Sequence, residues 1–258
     1  MNPVVVKLSG GAIEDPIVIA NLMPALQELA AKQPLILVHG GGKQVDAHFA
    51  HWQYPVEKKN GLRVSPAEHM PLITAVLAGQ VNKQLLSAAK FVGMNAVGVS
   101  LADGDSAVCS PHPDASLGAV GIVDPGKGKM MQALLGAGFV PIVASIALDQ
   151  QSQLRNVNAD DAAVCLAALT KAQDLLLLSD VSGVRDAEGK THASMTKAQI
   201  QQEIANGVIQ GGMIAKVMAA MQAAAQLGKH VTIASYLQPD AIRRYAHGQD
   251  IGTHILAV

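Results

Sequence analysis

The stretch that most constrains this chain is Pro34-Leu-Ile-Leu-Val-His-Gly-Gly-Gly42, followed by Lys43-Gln-Val-Asp46. Leu35 to Val38 is a continuous apolar run without alternation, the pattern of a strand buried on both faces of a parallel sheet. Three glycines then let the backbone turn sharply and leave its N–H groups uncovered by side chains. Val45, Phe49 and Trp52 recur at helical spacing, which predicts a helix opening just after the glycines. A strand, a bare turn and a helix N-terminus aim free N–H groups and the positive end of a dipole at one spot, which suits an anion. A tight βα turn with no ligand has the same sequence, because a glycine-rich turn alone is a weak signal.

The same succession of strand and polar or glycine turn recurs along the chain. Val4 to Val6 leads into Lys7-Leu-Ser-Gly-Gly11, which places a lysine at a strand's C-terminal end, where open α/β sheets bind ligands. Ala96 to Leu101 runs into Asp103-Gly-Asp105, Phe139 to Ser145 is a further buried strand, and Leu175 to Leu178 runs into Ser179-Asp-Val-Ser-Gly-Val184. Between them, Val18 to Ala31 and Met70 to Phe91 read as amphipathic helices, the first with Pro24 marking a kink or a late start. Half of the 258 residues are hydrophobic and 15% are charged, enough apolar surface for a large core and too little charge for disorder. Aromatics are only 3%, so strands of Val, Leu and Ile against Ala-rich helices are expected. The fold class that follows is α/β, a three-layer αβα sandwich around a mainly parallel sheet. No linker parts two domains.

Composition also narrows the partners. The net charge is −1 with Lys and Arg scattered, so nothing resembles a nucleic-acid stripe. No apolar run reaches membrane-spanning length, and Met1-Asn-Pro-Val4 enters a strand without a basic leader, so a cytoplasmic protein acting on a small molecule is expected. Cys109 and Cys165 are far apart in apolar contexts and suit neither a disulfide framework nor a metal motif. His48 and His51 have a ligand-like spacing but no third ligand nearby.

Several other positions bear on chemistry. Asn60-Gly61 signals a hairpin laid over the sheet edge, with Arg63 on it. Arg63 is either an outward-facing strand residue or an inward fork for a carboxylate. Asn156-Val-Asn-Ala-Asp-Asp161 precedes an Ala-rich helix through Leu169, and capping explains one of its four polar residues, not all. Lys216 falls in the first turn of the helix that follows the Gly211-Gly212 turn, where a cation opposes the dipole. Gly121 to Gly128 nearly matches a P-loop but has Gly128 where Ser or Thr must reach magnesium, and no glycine cluster completes a dinucleotide fingerprint. There is no nucleophile elbow. Placed lysines, bare glycine turns and strand-end carboxylates are what phosphoryl transfer between two anions requires.

Six segments carry a resemblance: Lys7-Leu-Ser-Gly10, Val38-His-Gly-Gly-Gly42, Asn60-Gly-Leu-Arg-Val64, Asn156-Val-Asn-Ala-Asp160, Leu178-Ser-Asp-Val-Ser-Gly183 and Gly212-Met-Ile-Ala-Lys216. In this order the chain resembles the amino acid kinase family nearly end to end, most closely its N-acetyl-L-glutamate kinases. The resemblance implies phosphorylation of the γ-carboxylate of N-acetyl-L-glutamate by ATP, the second step of arginine biosynthesis, with Mg2+ held mainly by the nucleotide phosphates and no metal site of the protein's own. It implies that Lys7 and Lys216 flank the transferring phosphoryl, that Asp160 orients both lysines, and that Gly10, Gly41 and Gly42 donate N–H bonds to the phosphates and the acceptor. Arg63 and Asn156 would hold the acceptor's α-carboxylate and acetamido ends. Asp180, Val181, Ser182, Gly183, Val184 and Arg185 would serve ATP together with Gly10, and Val208, Ile209 and Gln210 would line its adenine side. Residues 1–172 would form an acceptor-binding and dimerising lobe, and residues 173–258 an ATP lobe. Ser9 stands where many relatives carry glycine, and Asp161 beside Asp160 leaves open which carboxylate faces the lysines. The short N-terminus matches the dimeric, arginine-insensitive relatives, so a homodimer is expected. Relatives that phosphorylate glutamate, aspartate, carbamate or a nucleoside monophosphate are the alternatives within the family, and a non-catalytic sensor on the same fold is the alternative outside enzymes.

Overall fold

A computed structural model describes residues 2–257, and Met1 and Val258, the outer ends of the two expected lobes, lie outside them. The first half of the chain lays down β1 (Val4–Leu8), α1 (Gly10–Glu14), α2 (Pro16–Lys32), β2 (Leu35–His39) and α3 (Gly42–His51). A hairpin of β3 (Lys58–Lys59) and β4 (Leu62–Arg63) follows, then α4 (Met70–Thr74), α5 (Asn82–Phe91) and β5 (Ala96–Ser100). Next come β6 (Ala107–Pro111), β7 (Val120–Pro125), α6 (Lys129–Gly136), β8 (Val140–Ala144), β9 (Ile146–Leu148), β10 (Leu154–Val157) and α7 (Ala159–Leu169). The last part holds β11 (Asp174–Ser179), β12 (Ser194–Met195), α8 (Lys197–Ala205), α9 (Gly212–Leu227), β13 (Val231–Ser235), α10 (Pro239–Ala246) and β14 (Thr253–Ile255).

The central sheet has eight strands in the order β12-β14-β13-β11-β1-β2-β8-β5. Every neighbouring pair is parallel except β13 with β14. The expected boundary at residue 172 therefore runs between β1 and β11, with four strands of one continuous sheet on each side. A smaller sheet, β6-β7-β10-β9, is built from the Pro- and Gly-rich middle of the chain.

Alternation of side chains along each strand divides the core in two. Val4, Val6, Leu8, Leu35 and Leu37 point into one cluster with Leu22, Leu26 and Leu29 of α2 and Leu85 of α5. Val5, Ile36 and Val38 point the other way, against Ala162, Ala163 and Leu166 of α7 and Ala220 and Ala224 of α9. This is the three-layer sandwich, and it explains the apolar runs without alternation: both faces of these strands are covered. Small alanines on α7 and α9 let those helices approach the sheet closely.

Three local expectations are refined. Helix α2 starts at Pro16 and runs through Pro24, because Asp15 caps it by accepting from Ile17 N–H at 2.8 Å, so there is no late start. The single helix expected over Met70–Phe91 is interrupted by a π-helical segment, Ala75–Val81, whose widened turn shifts the following side chains around the axis. The hairpin lies over the C-terminal ends of the strands, where Lys58, Gly61 and Arg63 help line a cavity, rather than along the sheet's edge.

Because Leu37 is fully buried in a sheet covered on both faces, Leu37→Ala should cost about 2–5 kcal/mol. Urea denaturation measures it. The exposed Ile122→Ala serves as the control and should change stability by less than about 0.5 kcal/mol.

Candidate active site

Two cavities open at the C-terminal ends of the strands. The first, of about 400 Å3, is lined by Lys7, Gly10, Gly41, Gly42, Arg63 and Asn156. These residues come from four separate segments, and parallel pairing of β2, β1 and β8 delivers most of them to one end of the sheet. The second, of about 720 Å3, is lined by every residue from Asp180 to Arg185 and from Val208 to Gln210. Gly10, expected on the nucleotide side, lines the first cavity instead, because α1 follows β1 directly.

Helices opening from glycine onto the cavities are left uncapped. Neither α3, preceded by Gly41, nor α9, preceded by Gly211, has a side chain on its first N–H groups, and Ser9 does not cap α1. In contrast, α2, α7 and α8 carry Asp15, Asn158 and Thr196 as caps. Free N–H donors and the dipole's positive end therefore face the cavities. Gly41 has φ +154°, and a Cβ there would sit 2.8 Å from Leu77 Cδ2 and 3.2 Å from Val81 Cγ2, both on the π-helical segment. A Cβ on Gly11 would sit 2.5 Å from the Tyr236 hydroxyl. At both glycines a neighbour occupies the space a side chain would need.

Each placed cation has a carboxylate partner. Lys7 Nζ lies 2.8 Å from Asp160 Oδ1. Lys216 is bonded to Asp180, which holds that carboxyl below the usual range. The expectation that Asp160 orients both lysines is therefore corrected. Asp160 has Lys7, while Lys216, the fifth residue of α9 rather than part of its first turn, reaches the strand-end carboxylate of β11. Asp161 faces a separate cleft beside Cys165 and Gln222, while Asp160 is the neighbour that meets Lys7. Lys43 pairs with Glu14 at 2.8 Å across the rim of the first cavity.

Arg63 points inward and is buried. Its Nη2 donates to the Gly42 carbonyl at 2.7 Å and contacts Asp46 of α3, while its buried Nη1 has no partner. Asp46 also receives Lys58 Nζ at 3.2 Å. Asn156 Nδ2 donates to Ser65 Oγ at 3.0 Å, and Asn158 Oδ1 accepts from the Asp160 N–H at 2.7 Å. The four-residue polar cluster thus divides its labour: Asn158 caps, Asp160 holds Lys7, Asn156 lines the cavity and Asp161 stands apart.

Sequence reasoning missed Asp46, Ser65, and Met213, Ser235, Leu237 and Gln238 in the second cavity. Asp46 and Met213 stand within stretches already singled out, while Ser65, Ser235, Leu237 and Gln238 carry no local mark. It also passed over His39. This histidine is fully buried, its Nδ1 lies 2.8 Å from the Gly40 carbonyl, and its Nε2 lies 3.0 Å from Asn82 Nδ2. A carbonyl only accepts, so Nδ1 carries the proton and donates, and Nε2 accepts from Asn82. Burial above all, opposed by the Gly40 bond and aided by the Lys83 charge, lowers its pKa from 6.5 to about 4. The neutral ring ties the glycine turn to Asn82, the first residue after the π-helical segment.

Comparison with known proteins bears on the same residues. The model of the amino acid kinase family matches residues 2–235. The chain belongs to the amino acid kinase family. It is 46% identical over 259 residues to the acetylglutamate kinase of Serratia proteamaculans (strain 568), covering 100% of both chains. It is equally 46% identical to that of Sodalis glossinidius (strain morsitans), again over 100% of both. Among solved structures, a protein of Streptococcus mutans UA159 superposes with a TM-score of 0.80 at 26% identity, covering 99% of each chain. In amino acid kinase terms, the six segments that carried the resemblance are the ones that end at the two cavities.

The His39 arrangement has a pH signature. Its folded pKa is depressed, so between pH 6.5 and about 4 the unfolded chain binds the extra proton and stability falls as pH falls. The loss should approach about 3 kcal/mol, from about 1.4 kcal/mol per pKa unit. Urea melts of the wild type and His39→Gln at pH 7 and pH 4 test this. The variant should lack that component, and equal pH dependence in the two proteins would remove His39 from the account.

Proposed function

We propose that this chain transfers the γ-phosphoryl group of ATP to the γ-carboxylate of N-acetyl-L-glutamate, giving N-acetyl-L-glutamyl 5-phosphate and ADP, the second step of arginine biosynthesis. The observation that carries this reading is the pair of cavities along one sheet end, with Lys7 lining the first and Lys216 bonded to Asp180, which lines the second. Full-length identity to acetylglutamate kinases supports the choice of acceptor.

In this reading the first cavity takes the acyl acceptor and the second takes the nucleotide, so residues 1–172 form the acceptor lobe and residues 173–258 the ATP lobe. One carboxylate oxygen forms a bond to the γ-phosphorus as the bond from that phosphorus to the β–γ bridging oxygen breaks, and the electron pair leaves on ADP. Acceptor and donor are both anions, and their approach is repulsive unless cations stand beside the reacting atoms. Lys7 and Lys216 supply that charge, as catalytic residues, from opposite sides of the transferring group. Asp160 and Asp180 hold the two ammonium groups in place while leaving them donors to spare, since each ammonium has three. The N–H groups at Gly10, Gly41 and Gly42 receive phosphate and acceptor oxygens without first losing a side-chain cap.

Arg63 grips the α-carboxylate. Its unpartnered Nη1 is a buried donor awaiting an acceptor, a costly state that a bound carboxylate relieves. Asn156 meets the acetamido end. Val208, Ile209 and Gln210 form the adenine wall, and Asp180 to Arg185 the wall opposite. Mg2+ enters bound to ATP, where it neutralises phosphate charge. Among the described residues no group of three metal-ligating side chains is gathered. Among the described residues no helix is long and apolar enough to cross a membrane. We infer a cytoplasmic homodimer, supported by the fully displayed Phe91 beside an apolar cleft between α2 and α5 that a second copy would cover.

Turnover of MgATP with each candidate acid, trapping the acyl phosphate with hydroxylamine, tests the reaction. A hydroxamate should form with N-acetyl-L-glutamate and not with glutamate, and a hydroxamate from another acid alone would overturn the acceptor. Lys7→Ala and Lys216→Ala should each lower kcat by at least about a hundredfold, the scale of losing one charge-stabilising donor. Lys216→Arg should not rescue, because a planar fork replaces a compact charge. Separately, Asp46→Ala should raise KM for the acid by about tenfold or more while leaving KM for ATP within about twofold, since it frees a buried guanidinium from its anchor. Equal changes in the two KM values would deny Asp46 that role.

A further inference from the structure

The two walls of the second cavity, Asp180–Arg185 and Val208–Gln210, are not neighbours in sequence and share no strand. Val184 and Ile209 share one apolar cluster, and a polar contact outside the cavity also links the two walls. His192 Nε2 lies 2.8 Å from Glu203 Oε1, and both side chains are largely buried. Neither residue lines the cavity.

Each partner is tied by its backbone to a different wall. On one side, the His192 N–H donates to the Val184 carbonyl at 2.8 Å, and Arg185 and Thr191 form a bridge beside it. Thr253 Oγ1 completes that side: it accepts from the Val184 N–H at 2.9 Å and donates to the His192 carbonyl at 2.7 Å. On the other side, the Glu203 carbonyl accepts from the Val208 N–H at 2.9 Å and from the Ile209 N–H at 3.2 Å. Glu203 lies in the last turn of α8, and Gly207, with φ +71°, turns the chain so that these two N–H groups fold back onto it. The path from Val184 through His192 and Glu203 to Ile209 is thus continuous, and its only side-chain link is the contact between imidazole and carboxylate. Glu203 Oε2 and His192 Nε2 are both buried without an aligned hydrogen bond, so the 2.8 Å approach of Nε2 to Oε1 is the polar contact that each has across this junction.

We propose that His192 and Glu203 are a positioning pair that sets the separation of the two nucleotide walls, and so the affinity for nucleotide, without touching it. The proposal rests on the nucleotide reading of this cavity. A cleft held at its bound width loses less freedom on binding, and loosening it weakens the ligand without altering the chemistry at the far end of the molecule. The acceptor cavity, on the other half of the sheet, shares none of these contacts.

The test is titration of MgATP and of MgADP into the full-length wild type, Glu203→Ala, Glu203→Gln, His192→Ala and Val208→Glu, with steady-state kinetics for both substrates. Glu203→Ala and His192→Ala should each weaken both nucleotides about tenfold, with kcat and KM for N-acetyl-L-glutamate within about twofold. Glu203→Gln, which keeps an oxygen facing His192, should stay closer to the wild type than Glu203→Ala. Val208→Glu places a charge in the cavity itself and should abolish nucleotide binding. Nucleotide affinities unchanged in the Glu203 and His192 variants, with binding lost in Val208→Glu, would overturn the pair while sparing the cavity. Unchanged binding in Val208→Glu would overturn the nucleotide reading and the pair with it. Parallel losses in both substrates' KM would make the pair a general structural contact and equally overturn the proposal.

Discussion

Everything at the site depends on the parallel pairing of β1 with β2 on one side and β11 on the other. Lys7 is in register with Val38 and Leu177, so three strands end together and hand their following residues to one surface. Parallel strands cannot be joined by tight hairpins, so each returns through a helix and begins again at the same end. Lys7, the glycines after His39 and Asp180 are far apart in sequence yet are brought together at that end. The apolar content of these strands, covered on both faces, makes the arrangement rigid enough to carry charges at set positions.

Charge is managed at this surface by pairing that leaves a small positive surplus. Asp160 has Lys7, Asp180 has Lys216 and Glu14 has Lys43, but Asp46 serves both Arg63 and Lys58. Several of these groups are exposed, so their pairing contributes little to stability. Its effect is orientation: each long side chain is held at its tip before a ligand arrives. Uncapped α1, α3 and α9 add backbone donors that no side chain takes up.

The glycine turn after β2 depends on elements that its own sequence does not mention. Leu77 and Val81 of the π-helical segment fill the space beside Gly41, and the neutral ring of His39 joins the Gly40 carbonyl to Asn82. A π-helical turn is a small irregularity, and here it brings two side chains and an amide to bear on the turn that faces the ligand.

How much of this was legible in the chain follows from the range of the forces involved. Local patterns determined the fold class, the strands at Val4–Val6, Leu35–Val38 and Leu175–Leu178, and the residues that end them, because burial on two faces and glycine's freedom leave marks within a few positions. The motifs also named the walls of both cavities. Tertiary structure alone decided which carboxylate takes which lysine. Asp160 and Asp180 each stood near a strand end, and only strand order assigns the first to Lys7 and the second to Lys216. It likewise decided that Arg63 faces inward, since Asp46 lies on another element, and that Asn82 supports a loop it does not adjoin. Pairing between distant side chains depends on through-space distance, and sequence separation carries no record of it until the sheet is assembled.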